Sequence, residues 1–234
     1  MPPKQEELKS THTIRKACDF YMRTPKFCAL GGKSQYDYNR NLAFACNTSV
    51  QGGKYLGNIK LKDIQFSHVT VAYDYWRVKH GVRAANYIAT CLSIVFNTAR
   101  RHNALLSNPV SLLDRAKPKP RKVKWTTPQV KQFLDTAYSN WEWRSIGLIV
   151  HMAFHWAQRI GDMRLLEWKA LDLNKGVLDL EQSKRGADVH LPIQGGLLPM
   201  LQQQKEDFGF LPYVAPRVRA RAGVYTPYDD VEIC

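Results

Sequence analysis

The chain has 234 residues, room for one large domain or two modest ones, and its 44% apolar content favours a packed core over a disordered chain. Lys and Arg number 34 against 20 Asp and Glu, a formal net charge of +14 that points to a polyanionic partner, most simply nucleic acid. Five cysteines (Cys18, Cys28, Cys46, Cys91, Cys234), odd in number and without a C-x-x-C pair, argue against a disulfide framework or zinc site and fit reduced thiols. The first residues, Met1 to Glu7, lack the apolar core of a signal peptide, and no apolar stretch approaches the roughly 18–20 residues of a membrane span. A soluble intracellular protein is expected.

A short helix is expected over Thr11 to Met22, stopped by Pro25, and a second from about Ser34 to Cys46, where Tyr36, Tyr38, Leu42 and Phe44 supply apolar bulk. Gly52, Gly53 and Gly57 mark a loop. A third helix covers about Ser67 to Lys79 and ends at Gly81. The fourth has the clearest pattern: Ala85, Ile88, Ala89, Leu92, Val95, Phe96 and Ala99 fall on one face at helical spacing. Arg100, Arg101 and His102 put positive charge at its end, where the helix dipole favours it.

After a turn at Asn108-Pro109-Val110 comes Lys117-Pro118-Lys119-Pro120-Arg121-Lys122-Val123-Lys124, five basic residues and two prolines in eight. Proline removes backbone donors and favours an extended chain, so this is the linker expected between two domains. A basic strap suits a protein that wraps a duplex, because phosphate contacts dominate such affinity; a solvated surface loop is the plainer alternative. Thr127 is then expected to cap a helix with Pro128 at its first position, followed by a stripe of Val130, Phe133, Leu134 and Ala137. The next helix carries Ile146, Ile149, Val150, Ala153, Phe154 and Ala157 at offsets of three and four, and reads as central and buried. Strands from Val177 to Leu180 and from Val189 to Ile193, joined by a polar turn, predict a β-hairpin, and Leu197 to Asp207 reads as a last helix. The fold class expected is mainly α with a small β-hairpin or sheet. The domains expected are 1–112, a basic Pro-containing linker over 113–125, and 126–234.

The predicted buried helix runs into Gln158-Arg159-Ile160-Gly161-Asp162, and an arginine there calls for a partner. Arg159 and Asp162, three apart, can form a structural ion pair. Alternatively, Arg159 presents its planar fork to the oxygens of a phosphate. Spacing alone does not choose between them.

The wider phrase from Ala157 to Leu173 resembles the first arginine box of tyrosine recombinases of the phage-integrase type. That box has a small residue, any residue, then Arg-Ile/Leu-x-Glu/Asp, and a Leu-x-Trp-x-x-Leu/Ile-Asp phrase that Leu166-Glu167-Trp168-Lys169-Ala170-Leu171-Asp172 fits in register. The resemblance implies that Arg159 is the first catalytic arginine and Asp162 the acidic residue supporting the active-site network. Gln182 to Ile193 resembles the family's Thr/Ser-Lys hairpin, which closes in an apolar-Pro-apolar strand. It puts Lys184 in the place of the catalytic lysine, the acid for a departing 5′-oxygen. Arg185 stands one residue away, and both can be ordinary turn charges; the place directly after Ser183 favours Lys184. Ala99 to Val110 resembles the end of the family's core-binding domain, so the likeness runs from about Thr11 to Ile193.

The resemblance therefore implies a four-helix SAM-like core-binding domain followed by part of an α+β catalytic domain. It implies a site-specific DNA recombinase that cleaves and rejoins strands through a 3′-phosphotyrosine intermediate, for integration or excision of phage or mobile-element DNA. Double-stranded DNA is the expected partner, contacted by Arg100, Arg101, Lys117, Lys119, Arg121, Lys122 and Lys124, with tetramers forming on DNA at full length. No cofactor, metal or membrane is expected, and the setting is the cytoplasm of a prokaryote or phage-infected host.

The pattern then departs from the family. A His-x-x-Arg box, a later His or Trp, and the nucleophilic tyrosine should follow the hairpin, yet no His occurs after His190. His80-Gly81-Val82-Arg83 has the spelling but precedes Arg159, and Tyr213, Tyr225 and Tyr228 come too soon to be the nucleophile. Apolar periodicity fades from Gly223 to Asp230. The expectation is an incomplete catalytic domain, inactive alone. The alternatives are a short natural relative acting only as a DNA-binding module, or an unrelated basic helical regulator.

Overall fold

The computed structural model describes residues 7–120, 122, 124–184, 186–218 and 224–228. It is mainly helical with one small antiparallel sheet, the class expected above, and divides into two units, Met1–Arg121 and Lys122–Cys234.

In the first unit, Thr13 caps α1 (Ile14–Met22) by accepting from the Lys16 amide. Thr24 caps the single turn α2 (Pro25–Cys28), so Pro25 opens a new turn after α1 has ended at Met22. Helix α3 spans Gly32–Cys46. Helix α4 is a run from Phe66 to Arg101 broken at Gly81, whose φ of 80° and ψ of 167° lie in a region open to glycine and closed to residues with a Cβ. The third and fourth expected helices are the two arms of this broken run. All seven stripe residues of the second arm, Ala85 to Ala99, are buried.

Trp76 fills the centre of the first arm and its indole N–H donates to the Thr48 hydroxyl at 2.7 Å, so its one polar atom is satisfied where the rest is dry. Ile14, Leu42, Leu56, Leu61 and Leu92 complete this core. Asn108 is a buried polar plug: its amide donates to Ser93 and Asn97, and its oxygen accepts from the Val110 amide as Pro109–Leu112 turns. Tyr73, Asn86 and the backbone of Ala116 form a closed ring of hydrogen bonds of 2.6 to 3.0 Å that ties the chain to α4 just before the basic stretch. The described residues from 117 to 124 have no regular structure.

In the second unit, α5 (Thr127–Tyr138) is capped by Thr126, one residue earlier than the sequence suggested. The reason is Gln129, three residues after Thr126, whose side-chain oxygen accepts from the Thr126 amide at 2.8 Å and closes a reciprocal cap. Helix α6 is Arg144–His155, so the buried helix expected to run to Ala157 stops short of it. Ala157 has φ of 51°, a left-handed conformation that turns the chain out of the helix. The stripe needs correction too: Phe154 is exposed, and Leu148, Ile149 and Met152 carry the packing.

After the one-and-a-half-turn helix α7 (Ile160–Arg164), the chain enters a sheet of order β1-β2-β3. Its strands are β1 (Leu171–Asp172), β2 (Val177–Glu181) and β3 (Asp188–Pro192), and Leu178 faces Leu191 while Glu181 faces Asp188. The hairpin was expected; β1, only two residues long, was not. Helix α8 (Leu197–Phe208) packs Leu197 and Leu201 into a core with Leu148, Ile149, Met163 and Leu178. The segment beyond α8 returns to this core, with Val214 and Ala215 fully buried and the Val214 amide donating to Leu166 at 2.9 Å. No described helix is long and apolar enough to cross a membrane.

Candidate functional site

The turn at Ala157 hands the chain to Arg159 in an extended conformation, with its carbonyl accepting from the first turn of α7. Its side chain therefore leaves from a fixed point between two helices and stays 41% exposed. Asp162, in the first turn of α7, has a side chain only 3% exposed, and its Oδ2 lies 3.6 Å from the Arg159 Nη1. A buried carboxylate costs free energy unless it is paired and hydrogen-bonded. The second support comes from the hairpin, where the Ser183 hydroxyl donates to Asp162 Oδ1.

Ser183 and Lys184 sit at the hairpin tip, which is closed by the Gln182 amide on Ala187 at 2.9 Å and the Gly186 amide on Gln182 at 2.8 Å. Lys184, the next residue after the one Asp162 holds, is exposed. Of the two arrangements left open by the sequence, the ion pair of Arg159 with Asp162 is present, and the Arg159 side chain stays partly exposed beside it. Arg185 and Arg121 lie outside the described residues.

Two residues of this cluster carried no signal in the sequence. Gln182 donates its amide to Gln158 Oε1 at 2.6 Å and accepts from Arg159 Nη1 at 3.4 Å, while Gln158 donates to the Trp156 carbonyl at 3.1 Å. Isolated glutamines in a polar turn follow no period, and only a contact across 24 residues gives them a place. At the foot of the hairpin, the Trp156 indole donates to the Pro192 carbonyl at 3.0 Å and the Gln194 amide donates to His155 Nε2 at 3.3 Å.

The remaining candidates stand elsewhere. Tyr213 bridges Glu167, Tyr225 meets Phe210 edge-on, and Tyr228 lies under the Arg217 guanidinium, its phenol pushed above the usual range by burial. His80 packs edge-on against Phe44, 4.6 Å between ring centroids. Arg100 and Arg101 are exposed at the end of α4, and Lys117, Lys119, Lys122 and Lys124 are exposed along the irregular stretch. Tyr138 hydrogen-bonds Nδ1 of His151 on α6 at 2.9 Å, and burial, then the charge of His155, holds His151 below its ordinary pKa. Among the described residues no group of three or more His, Cys, Asp or Glu is placed to hold a metal.

No family model matches the chain. In sequence it is similar to the integrase of Enterobacteria phage 434, 26% identical over 137 residues, 58% of this chain and 37% of that one. It is 27% identical over 133 residues to the integrase of Escherichia phage HK022, 57% of this chain and 36% of that one. The chain thus spans little more than a third of the length of these curated relatives. In fold it is similar to a lambda integrase dimer bound to a COC′ core site, with a TM-score of 0.73 at 21% identity over 90% of this chain and 60% of that one. A lambda integrase tetramer bound to a Holliday junction gives 0.74 at 20% identity, over 92% and 63%. The Tn1549 transposon integrase in complex with circular intermediate DNA gives 0.66 at 16% identity, over 84% and 65%. Sequence and fold agree, and the resemblance to the integrases of the tyrosine recombinase type is borne out.

Proposed function

From this kinship with the integrases, we propose that the chain is part of a site-specific DNA recombinase in which Arg159 and Lys184 act on one phosphate of a DNA strand. The observation that carries the reading is the joint made by Asp162, which pairs with Arg159 and holds Ser183, the neighbour of Lys184. Displacement at a phosphodiester passes through a crowded phosphorane with more negative charge than the ground state. Cations fixed in advance stabilise that charge more than they stabilise the substrate. Arg159 offers a forked donor, Asp162 holds it in place, and Lys184 at the tip protonates the departing 5′-oxygen.

In this chemistry a tyrosine hydroxyl is the nucleophile, and the 3′-phosphotyrosyl link keeps the bond energy for rejoining without ATP. We assign that role to none of Tyr213, Tyr225 or Tyr228, and this stretch alone is proposed to bind DNA without cutting it. The helical unit is proposed as the core-binding domain and residues from 126 onward as part of the catalytic domain. Arg100, Arg101, Lys117, Lys119, Lys122 and Lys124, with Arg121 from the sequence, are proposed phosphate contacts. Self-association on DNA is proposed by analogy with the lambda integrase tetramer named above. Integration or excision of phage or mobile-element DNA is the proposed purpose.

Fluorescence anisotropy with a mixed-sequence duplex at several salt concentrations tests this. Affinity should fall steeply with salt, and each linker lysine changed to alanine should reduce the logarithmic slope by about one. Arg159→Ala should cost about tenfold, as expected for a lost charge-assisted hydrogen bond. A salt-independent affinity would sink the DNA reading. The exposed basic residues Lys117, Lys119, Lys122 and Lys124 also fit a second reading, a module that only binds DNA. It predicts that Arg159→Ala and Lys184→Ala cost no more than the loss of one linker lysine.

A further inference from the structure

The two glutamines beside Arg159 have a fixed polarity. Gln158 donates its amide to the Trp156 backbone carbonyl, a group that can only accept, so its side-chain oxygen points the other way. That oxygen accepts from the Gln182 amide at 2.6 Å, which in turn aims the Gln182 oxygen at Arg159 Nη1, a group that can only donate. Flipping either amide would set carbonyl against carbonyl or amide against guanidinium. The sequence of bonds therefore has one sense, running from Trp156 through Gln158 and Gln182 to Arg159.

It is anchored to the same hairpin at two points. Trp156 is tied by its indole to Pro192 at the foot, and Gln182 is the residue just before Ser183 and Lys184 at the tip. Gln182 and Asp162 both engage Nη1 of Arg159, which leaves the Nη2–Nε edge as the face for an anion. We propose that Gln158 and Gln182 are positioning residues: a one-way amide relay that sets the direction of the Arg159 guanidinium and registers it with the hairpin carrying Lys184. This rests on the phosphate reading above. Neither glutamine needs to touch DNA. The relay acts by limiting the rotation of Arg159, so that less freedom is lost when the phosphate arrives.

The test uses the whole chain and two readouts. In the free protein, the ¹⁵N NMR signal of the Arg159 Nε–H reports the guanidinium. Gln158→Leu, at a residue one bond removed along the relay, should move this signal to the position of a freely rotating arginine. A signal that stays in place overturns the proposal. With a short mixed-sequence duplex as probe, Arg159→Ala should cost about tenfold in the parent and only about two- to threefold in a Gln182→Leu background, because the relay is already cut. An undiminished tenfold cost also overturns it. Gln182→Glu loses the donor to Gln158 but places a carboxylate oxygen against Arg159 Nη1, and this new ion pair should hold the arginine signal in place. It should still weaken DNA binding, since its carboxylate competes with phosphate for the guanidinium; unchanged binding counts against the proposal. If Arg159→Ala is silent in both backgrounds while Gln158→Leu still moves the arginine signal, the phosphate reading fails. The relay is then reduced to a structural contact, which overturns its positioning role.

Discussion

The two units spend their buried polar groups differently. In the first, each conspicuous one is satisfied and serves packing: Trp76 on Thr48, Asn108 on Ser93 and Asn97, Tyr73 on Asn86. In the second, Asp162 is buried with one oxygen on Ser183 and the other lacking a hydrogen bond, 3.6 Å from a cation that faces solvent. A buried carboxylate held this way is a poor device for stability. The contrast is one of construction: the first unit's buried polar groups complete its packing, whereas the second keeps a costly buried carboxylate beside Arg159, the residue proposed above to meet phosphate.

Removing the centre of the first unit should have the largest effect. Trp76→Ala should destabilise by about 3–5 kcal/mol through the cavity it leaves and the lost Thr48 partner. Thermal unfolding should show it as a lowered transition for the first unit. A loss under about 1 kcal/mol would erase the contrast. Next comes Gly81→Ala. The backbone there is one that a Cβ disfavours, so the substitution should cost about 1–3 kcal/mol, measured by urea denaturation. A neutral result would mean that the break in α4 can straighten freely.

The first unit was also the more legible one. Ala85 to Ala99 announced a buried helix because every third or fourth residue was apolar, and Gly81 announced the break because little else tolerates that backbone. The hairpin was visible in its alternation, and the Arg159 and Lys184 phrases in their likeness to a known pattern. What the sequence hid depends on single contacts. The cap of α5 moved to Thr126 because of one glutamine. Helix α6 ended early because Ala157 adopts a left-handed turn that an alanine does not advertise. The return of Val214 and Ala215 to the core rests on backbone pairing at isolated points, which has no period to read.

Asp162→Asn sharpens the comparison from the other side. The new side chain can still accept from Ser183, and it removes the buried charge. Stability should change by less than about 1 kcal/mol in either direction. Arg159 then loses its ion-pair partner, so its NMR signal should broaden toward that of a free arginine even though the unit melts almost where it did. A large loss of stability would show that Asp162 is a structural pillar of the second unit, as Trp76 is of the first.

The smallest effect concerns His151, a half-buried ionisable group of the second unit, and it works through pH. Burial, with the charge of His155 added, lowers its pKa in the folded chain, whereas the unfolded chain titrates near the ordinary imidazole value of about 6.5. Between the two values the unfolded state binds the extra proton, so stability rises with pH across that interval. The contribution is complete above the unfolded value and is lost as pH falls through it toward the depressed folded one. His155, one turn along α6, and the Tyr138 phenol, which burial raises, are the titratable neighbours; the phenol stays neutral throughout and so keeps its hydrogen bond to the uncharged ring. The second unit's melting temperature should therefore drop between neutral pH and mildly acidic pH, and His151→Gln should flatten that drop while leaving the first unit's transition unmoved. An unchanged pH profile in the variant would place the acid sensitivity elsewhere. Because the hydrogen bond of His151 goes to Tyr138 and not to Arg159 or Asp162, the same variant should bind DNA as the parent does, which separates the acid response of the second unit from its proposed phosphate chemistry.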